Sequence, residues 1–196
     1  MDALGLSPAS SGNLSLRVGD DDLVISASGS QLGHLDQDTL SVVSIQGELR
    51  SGPKPSKELP LHLAFYRRDP GYRAIVHLHS PYAVAVSCLT PWSEHSAIPP
   101  LTPYFVMRVG AAPLIPYAPP GSDRLGEELA AMGGDFRAAL LQNHGPIVAH
   151  SDLDAAIDAA VELEETARLL VLLGDRGRPL SADDVTELSE RFDVKW

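Results

Sequence analysis

The hexapeptide Ile-Val-His-Leu-His-Ser, residues 75–80, carries the pattern that decides the fold. It lies in a predicted strand, Arg73–His79, in which apolar side chains alternate with histidines toward the end. Because side chains alternate across a strand, His77 and His79 share one face, with their α-carbons about 6.5–7 Å apart. The opposite face can fill a core with Ala74, Val76 and Leu78. Two imidazoles at this spacing can converge on one metal ion, although two polar residues on an exposed face would give the same pattern.

A third histidine lies in a tight turn between two predicted strands. The turn is Asn143-His144-Gly145-Pro146, in which glycine supplies conformational freedom and proline rigidity. Such a turn can present one imidazole to a neighbouring strand, and three histidines with an open fourth position are typical of a catalytic metal site. The pattern contains no thiolate ligand, so Zn is the predicted ion, with Mn, Co or Ni as alternatives.

An acidic residue precedes the histidine strand. Glu58 lies in the first turn of a predicted helix, Lys57–Arg68, for which Ser56 is the expected N-cap. A carboxylate there can serve as a fourth metal ligand or as a general base. Position alone favours a simpler interpretation, in which the glutamate is stabilised by the helix dipole.

Small hydroxylated residues and glycines form a second set of candidates, suited to an anion. Ser56 and Lys57 adjoin the unpaired N–H groups at the start of the predicted helix. Two further loops can complete an anion site, Gly12-Asn13 and the Ser-Ala-Ser-Gly-Ser segment at 26–30. Each loop alone is a weak signal, because such loops are common.

The remaining periodicity predicts a mixed α/β domain. The predicted strands are Asn13–Val18, Leu23–Ser26, Leu40–Ile45, Phe105–Val109, Pro113–Tyr117, Arg137–Gln142 and Ile147–His150. Further helices are predicted after Ser80-Pro81, from Ser122 to Met132, from Ser151 to Leu173 and from Ser181 to Phe192. We expect one domain, residues 1–196, with an antiparallel-rich central sheet and helices on its faces.

Composition excludes several classes of protein. The chain has 196 residues, a formal net charge of −11 and a pI near 4.9, so nucleic acid and anionic lipid are not expected partners. The longest strongly apolar stretch, Leu169–Leu173, is far shorter than the roughly 20 residues of a membrane helix. The first residues lack the features of a signal peptide. The single cysteine excludes an intrachain disulfide and predicts a cytoplasmic location.

Several other reactive side chains are expected to be structural. Cys88 lies in the apolar run Ala-Val-Ala-Val-Ser-Cys-Leu and is predicted to be a buried thiol. The remaining histidines are expected at the surface or in helix packing: His34, His62, His95 and His150.

The motifs together resemble the class II aldolase/adducin family, typified by fuculose-phosphate aldolase. The matching segments occur in family order: SSGNLSLR at 10–17, LVISASGSQLG at 23–33, PSKELPLH at 55–62, IVHLHS at 75–80 and LLQNHGPIVA at 140–149. The resemblance implies a three-layer α/β/α domain with a mostly antiparallel sheet. It also implies a homotetramer with fourfold symmetry and sites between subunits.

The resemblance assigns roles to individual residues. It implies zinc ligation by His77, His79 and His144, and it makes Glu58 a fourth ligand that swings away to act as the base. This reverses the interpretation of Glu58 from its position alone. The positions at which the family grips substrate phosphate correspond to Asn13, Ser28, Gly29, Ser56 and Lys57.

Within the family, three segments resemble most closely the 3-oxo-tetronate 4-phosphate decarboxylases: GPKPSKELPLHLAFYR, HLHSPYAVAVSCL and IPPLTPYFVMRVG. The implied substrate is a phosphorylated small sugar acid that loses CO2 through an enediolate. Lys57 stands where aldolases of the family more often have serine, and a cation suits a substrate with both phosphate and carboxylate. Tyr104 and Arg108 are candidates for contacts across a subunit interface.

Two alternative functions remain open, and one feature of the chain departs from the family pattern. A sugar-phosphate aldolase or 4-epimerase would use the same enediolate, and a non-catalytic adducin-like module tends to lose the histidines that this chain keeps. The family usually has a helix of about twenty residues before the Gly-Asn loop, whereas only eleven residues precede Gly12. We therefore expect the N-terminal helix to be short or missing.

Overall fold

A computed structural model of the chain describes residues 1 and 4–196. The strands in that part of the chain are β1 (Asn13–Val18), β2 (Asp22–Ser26), β3 (Leu40–Ser44), β4 (Leu49–Ser51), β5 (Ala74–His77), β6 (Leu114–Ile115), β7 (Ala138–Leu141) and β8 (Gly145–His150). The helices are α1 (Leu59–Arg68), α2 (Pro81–Ser87), α3 (Pro103–Arg108), α4 (Asp123–Ala131), α5 (Leu153–Leu173) and α6 (Ala182–Phe192). Residues 2 and 3 of the segment before Gly12 are outside the described part, so the prediction of a short or missing N-terminal helix stays a prediction.

The described strands form one mixed, mostly antiparallel sheet. Its order is β4-β3-β2-β1-β5-β8-β7-β6, and the β6–β7 pair is its parallel pair. The histidine strand β5 therefore lies at the centre, with β1 on one side and β8 on the other. Central position explains why all four of its residues are buried. An antiparallel-rich sheet was predicted and is confirmed.

The two faces of the sheet pack against different helices. On one face, Val76 and Leu78 pack in a cluster that includes side chains of α2, α3 and α5. On the other face, Ile75 packs in a second cluster, which contains side chains of α1 and α4. This alternation along β5 agrees with the predicted division between an apolar face and a histidine face.

One predicted strand is wrong. The segment predicted as a strand at Phe105–Val109 is helical through Arg108, the last residue of α3, and Val109 is the C-cap. The Thr102 side chain accepts a hydrogen bond from the Phe105 N–H, and Pro103 occupies the first helical position. An N-cap threonine followed by proline starts a helix, and this start outweighs the β-propensity of the aromatic and branched residues after it.

Other differences are small shifts of boundaries. Strand β5 ends at His77, so His79 follows the strand rather than belonging to it. Helix α1 starts at Leu59 with Glu58 as its N-cap residue, whereas Ser56 was the predicted cap. Asp152 caps α5 by accepting a hydrogen bond from Ala155 N–H, so this helix begins at Leu153 rather than at the predicted start, Ser151.

Two further differences concern a short strand and one side chain. Strand β4 was not predicted, because its three residues are all exposed and show no apolar alternation. Cys88 was predicted to be buried but is exposed, because it follows the last residue of α2. His62 is fully buried on α1, which agrees with the predicted alternative of helix packing. No helix in the described part of the chain is long and apolar enough to cross a membrane.

Candidate metal and substrate site

The sheet register brings the first pair of site residues together. Asn13 in β1 is paired directly with His77 in β5. On its other side, His77 is paired with Ile147 of β8, the strand that follows the His144 turn. Three separate segments of the chain therefore meet at one end of the central strands.

The turn before β8 is held close to the end of β5. Gly145 is required there, because a Cβ atom at this position would lie 2.4 Å from the Leu78 carbonyl oxygen. Asn143 has a positive φ of 57°, a conformation that asparagine tolerates better than most residues. Ser87 anchors the turn, since its carbonyl accepts from Asn143 N–H at 3.1 Å and its Oγ accepts from His144 N–H at 3.2 Å. The sequence Asn-His-Gly-Pro thus fits a turn whose backbone packs directly against the residues that follow β5.

The ligand atoms of four side chains converge. The Nε2 atoms of His77 and His79 lie 3.2 Å apart, and those of His79 and His144 lie 3.1 Å apart. The Glu58 carboxylate approaches from the fourth side, 3.3 Å from Nε2 of both His77 and His144. All four ligand atoms lie within 4.8 Å of one another. Ligands about 2.0–2.1 Å from a tetrahedral ion lie about 3.3 Å from each other, so this set fits a zinc-type site.

Hydrogen bonding sets the tautomer of the central histidine. His77 Nδ1 lies 2.8 Å from the Pro146 carbonyl oxygen, which can only accept. Nδ1 therefore carries the proton, and the Nε2 lone pair of the neutral ring points to the centre of the cluster. A backbone carbonyl on the second ring nitrogen is the usual arrangement for a metal-binding histidine.

The charge states suit a cation at the centre. Burial lowers the pKa of His77 from 6.5 to about 3, although the Glu58 charge opposes the shift. Burial and the neighbouring His144 also lower the pKa of His79. For Glu58, burial alone would raise the pKa, but hydrogen bonds from His144 and Asn13 and the charge of His77 hold it well below its usual range. Neutral imidazoles and an ionised carboxylate are the forms that bind metal ions.

The cluster opens into a cavity of about 220 Å³ that also contains the predicted anion-binding residues. Its lining includes Ser10, Ser11, Gly12, Asn13, Ala27, Ser28, Gly29, Ser56, Lys57, Glu58, His79, Pro120 and His144. His77 is fully buried behind it. Larger cavities of about 660 and 540 Å³ lie elsewhere, and neither contains a residue of the histidine cluster.

The loops of this cavity use part of their backbone internally. Ser28 N–H donates to the Lys54 carbonyl at 3.0 Å, and Ser56 N–H donates to the Ser26 carbonyl at 3.0 Å. These bonds shape the loops and leave the serine hydroxyl groups and the Lys57 ammonium as donors for an anion. Lys57 is exposed, and its charge also contributes to the lowered pKa of His79.

Three buried polar residues next to this site were not predicted. Asn13 Nδ2 donates to Glu58 Oε2 at 2.7 Å, and the Asn13 oxygen is bonded to His62. His62 in turn contacts Ser15, which contacts Tyr66. The available signal was the spacing of His62 four residues after Glu58, which places His62 about one helical turn beyond the N-cap of α1.

Tyr104 and Arg108 lie away from this cavity. Both are on α3, and neither lines the cavity that contains the histidine cluster. Tyr104 is 57% exposed, and the Arg108 guanidinium lies 5.5 Å from the centre of its ring. Arg108 also approaches Asp158 at 3.8 Å.

Comparison with known families identifies the fold. The family model described as the class II aldolase and adducin N-terminal domain matches residues 1–171. The chain belongs to this family. Family membership agrees with the resemblance seen in the motifs, and the divalent-metal dependence of the family agrees with the histidine cluster.

Similar proteins within the class II aldolase family are named as lyases. A 3-oxo-tetronate 4-phosphate decarboxylase of Pectobacterium atrosepticum is 53% identical over 94% of this chain and 85% of its own length. A decarboxylase of the same name from Escherichia coli K12 is 48% identical over 94% of this chain and 87% of its own length. The crystal structure of YgbL from Klebsiella pneumoniae has a TM-score of 0.90 and 49% identity, with coverage of 95% and 90%.

Proposed function

We propose that this protein decarboxylates a 3-oxo-tetronate 4-phosphate to dihydroxyacetone phosphate and CO2. One observation carries the proposal: the Glu58–histidine cluster and the anion-binding residues line the same small cavity. The decarboxylase relatives, at 46–53% identity over most of the chain, support the choice of substrate. Lys57 lies in that cavity and suits a substrate that has a carboxylate as well as a phosphate.

The residues of the cluster would hold one divalent ion. His77, His79 and His144 are the proposed ligands, with Glu58 as a labile fourth, and zinc is the proposed ion with Mn, Co or Ni as alternatives. When bound, such an ion supplies Lewis-acid stabilisation of negative charge that develops on the substrate oxygens.

The protein groups then bind the substrate and manage its proton. Ser28, Gly29, Ser56 and Lys57 are proposed to bind the phosphate, together with Asn13. Cleavage of the C1–C2 bond releases CO2 and leaves an enediolate, which takes up one proton at C2. Because the Glu58 carboxylate is ionised, a water molecule hydrogen-bonded to it is the proposed source of that proton.

The sugar-phosphate aldolase is the second candidate. The L-fuculose 1-phosphate aldolase structure superposes with a TM-score of 0.83 at 25% identity, and retro-aldol cleavage passes through the same kind of enediolate. The 4-epimerase alternative rests on the same cluster. A non-catalytic adducin-like module is disfavoured, since the chain keeps all three histidines with converging Nε2 atoms.

A paired assay distinguishes these functions. Purified protein is supplied separately with a 3-oxo-tetronate 4-phosphate and with fuculose 1-phosphate, before and after removal of metal by a chelator. We expect CO2 release from the first substrate only, with activity lost on chelation and restored by Zn²⁺. Aldehyde release from the second substrate would instead support the aldolase.

Variants connect that activity to the cluster. His77→Ala/His79→Ala should lose bound metal and activity together, whereas His34→Ala, at an exposed site outside the cavity, should keep both. A double variant that keeps full metal-dependent activity would contradict the assignment of the site.

Further features of the family are proposed for this chain. The helices on both faces of the sheet support a three-layer α/β/α domain that spans residues 1–196. The exposed Tyr104 and its neighbour Arg108 are proposed interface contacts in a homotetramer. A cytoplasmic location is proposed from the single cysteine.

A further inference from the structure

A chain of hydrogen bonds runs from Glu58 into the core. Asn13 Nδ2 donates to Glu58 Oε2 at 2.7 Å, and Asn13 Oδ1 is bonded to His62 Nε2. His62 Nδ1 lies 2.7 Å from Ser15 Oγ, which lies 2.9 Å from the Tyr66 hydroxyl. Each of the five side chains is buried, with at most 6% of its surface exposed. The inner end of the chain, formed by His62, Ser15 and Tyr66, is therefore shielded from bulk water.

The direction of each bond follows from the contact at Glu58, in which Asn13 Nδ2 donates to the carboxylate. An ionised carboxylate only accepts, so the amide nitrogen of Asn13 must face it and the amide oxygen must face His62. His62 must then donate from Nε2, which leaves Nδ1 as an acceptor. The Ser15 hydroxyl supplies that proton and accepts in turn from Tyr66. Any reversal would place two acceptors or two donors against each other.

His62 consequently determines which end of the Asn13 amide faces the carboxylate. An asparagine without this donor could rotate its amide and direct its oxygen at Glu58, where the two would repel each other. With the donor in place, the Nδ2 group of Asn13 donates one hydrogen to Glu58. Asn13 also lines the cavity next to the histidine cluster. Burial keeps His62 neutral by lowering its pKa to about 4, so it presents one donor and one acceptor.

We propose that His62 is a positioning residue, which acts through Asn13 to hold Glu58 in the orientation that completes the metal site. His62 itself belongs neither to the four-residue cluster nor to the lining of its cavity. The inference rests on the proposed function only in treating Glu58 as part of the metal site. Polar partners behind metal ligands typically change metal affinity or activity by about 10–100-fold when they are removed.

A second tyrosine on the same side of the sheet has a hydroxyl group whose hydrogen bond lies outside this chain. On the same side of the sheet, Tyr72 forms one hydrogen bond from its hydroxyl to the Phe136 carbonyl at 3.0 Å and packs against Phe65. That bond has no connection with Asn13. Tyr72 therefore provides a matched comparison for Tyr66: each tyrosine has a hydroxyl group bonded in the interior and a pKa raised by burial to about 12.

Two substitutions at position 62 test the proposal. His62→Leu removes the donor at similar volume, and His62→Gln restores an N–H group near the position of Nε2. The affinity of metal-free protein for Zn²⁺ is measured by competition with a chromophoric chelator, with circular dichroism to verify folding. We expect the dissociation constant to rise at least about 10-fold in His62→Leu and to stay within about threefold of wild type in His62→Gln. A folded His62→Leu protein with wild-type affinity would overturn the proposal.

A second pair covers the case in which His62→Leu does not fold. Tyr66→Phe removes the far end of the chain and should weaken Zn²⁺ binding severalfold, whereas Tyr72→Phe should leave it unchanged. Equal affinities in these two variants would overturn the proposal. Because Zn²⁺ binding is measured without substrate, a failure of the decarboxylase assay would be distinguishable from a failure of this inference.

Discussion

At the scale of single residues, Lys57 lines the cavity and is the cation proposed to bind an anionic substrate. The protein has a net charge of −11, so attraction of such a substrate depends on local positive charge. The aliphatic stem of Lys57 packs against Gly121, where an added Cβ atom would lie 2.9–3.0 Å from the Lys57 Cβ, Cγ and Cδ atoms. Gly121 also has a positive φ of 78°, which disfavours any side chain. The absence of a side chain at Gly121 therefore leaves the space that the stem of Lys57 occupies.

Gly121→Ala is expected to displace Lys57 and weaken substrate binding. The KM for the phosphorylated oxo acid should rise several-fold, with a smaller change in kcat, because the proposed role of Lys57 is to bind the substrate rather than to transfer a proton. Steady-state kinetics provides the measurement. Gly134→Ala is the matched control, because Gly134 has the same φ of 78° and a Cβ atom there meets nothing within 4 Å. An unchanged KM in Gly121→Ala would contradict this role for the contact.

At the scale of secondary-structure elements, a buried carboxylate joins α5 to the start of α2. Glu164 of α5 accepts from Tyr82 N–H at 2.9 Å and from Ala83 N–H at 2.8 Å. These N–H groups belong to the first turn of α2 and have no partner within the helix. The segment that contains His79 connects β5 to this turn, so the same contact restrains a proposed ligand.

Glu164→Gln should destabilise the protein, because one amide N–H group would face another donor in a buried position. We expect the free energy of unfolding to fall by about 1–3 kcal/mol, as measured by urea denaturation. Glu165→Gln is the control at the adjacent position, where the side chain is 58% exposed and its ion pair with Arg168 should contribute little. Equal stability of the two variants would show that the α2 contact is not important for folding.

At the scale of the whole molecule, the buried histidines make the metal-free fold sensitive to acid. His62 has a folded pKa of about 4, whereas an unfolded chain would have the ordinary value of 6.5. The unfolded state therefore binds one more proton between these values. The stability that depends on a neutral His62 ring is therefore complete above pH 6.5 and is lost as the pH falls toward 4.

The pH dependence of unfolding should report this proton. Between pH 6.5 and 4, the free energy of unfolding should fall with pH in both metal-free proteins. The slope for His62→Gln should be smaller than that for wild type by about 1.4 kcal/mol per pH unit. Urea denaturation at several pH values measures both slopes, and His34→Gln, at an exposed site, is the control for loss of an imidazole. Parallel slopes for wild type and His62→Gln would contradict the lowered pKa of the buried ring.

Much of the fold was predictable because its signals are local. Alternation along Arg73–His79 predicted both a buried strand and the face that carries the histidines, since side-chain direction in a strand depends only on position. The glycine and proline after His144 predicted its turn. The same local method was wrong for Phe105–Val109, where apolar content outweighed the cap signal of Thr102. It also missed β4, whose exposed residues have no alternation.

The sequence by itself determined which residue types were available to the site and, through local periodicity and family motifs, the family and the candidate metal ligands. Only the tertiary structure decided the tautomer of His77, the charge of Glu58 and the link from Asn13 to His62. These properties depend on burial and on hydrogen bonds between segments that are far apart in the chain, as in the contact of Asn13 with Glu58 across 45 positions. Periodicity contains no information about such distances, because desolvation and hydrogen bonding depend on which groups meet after the chain has folded.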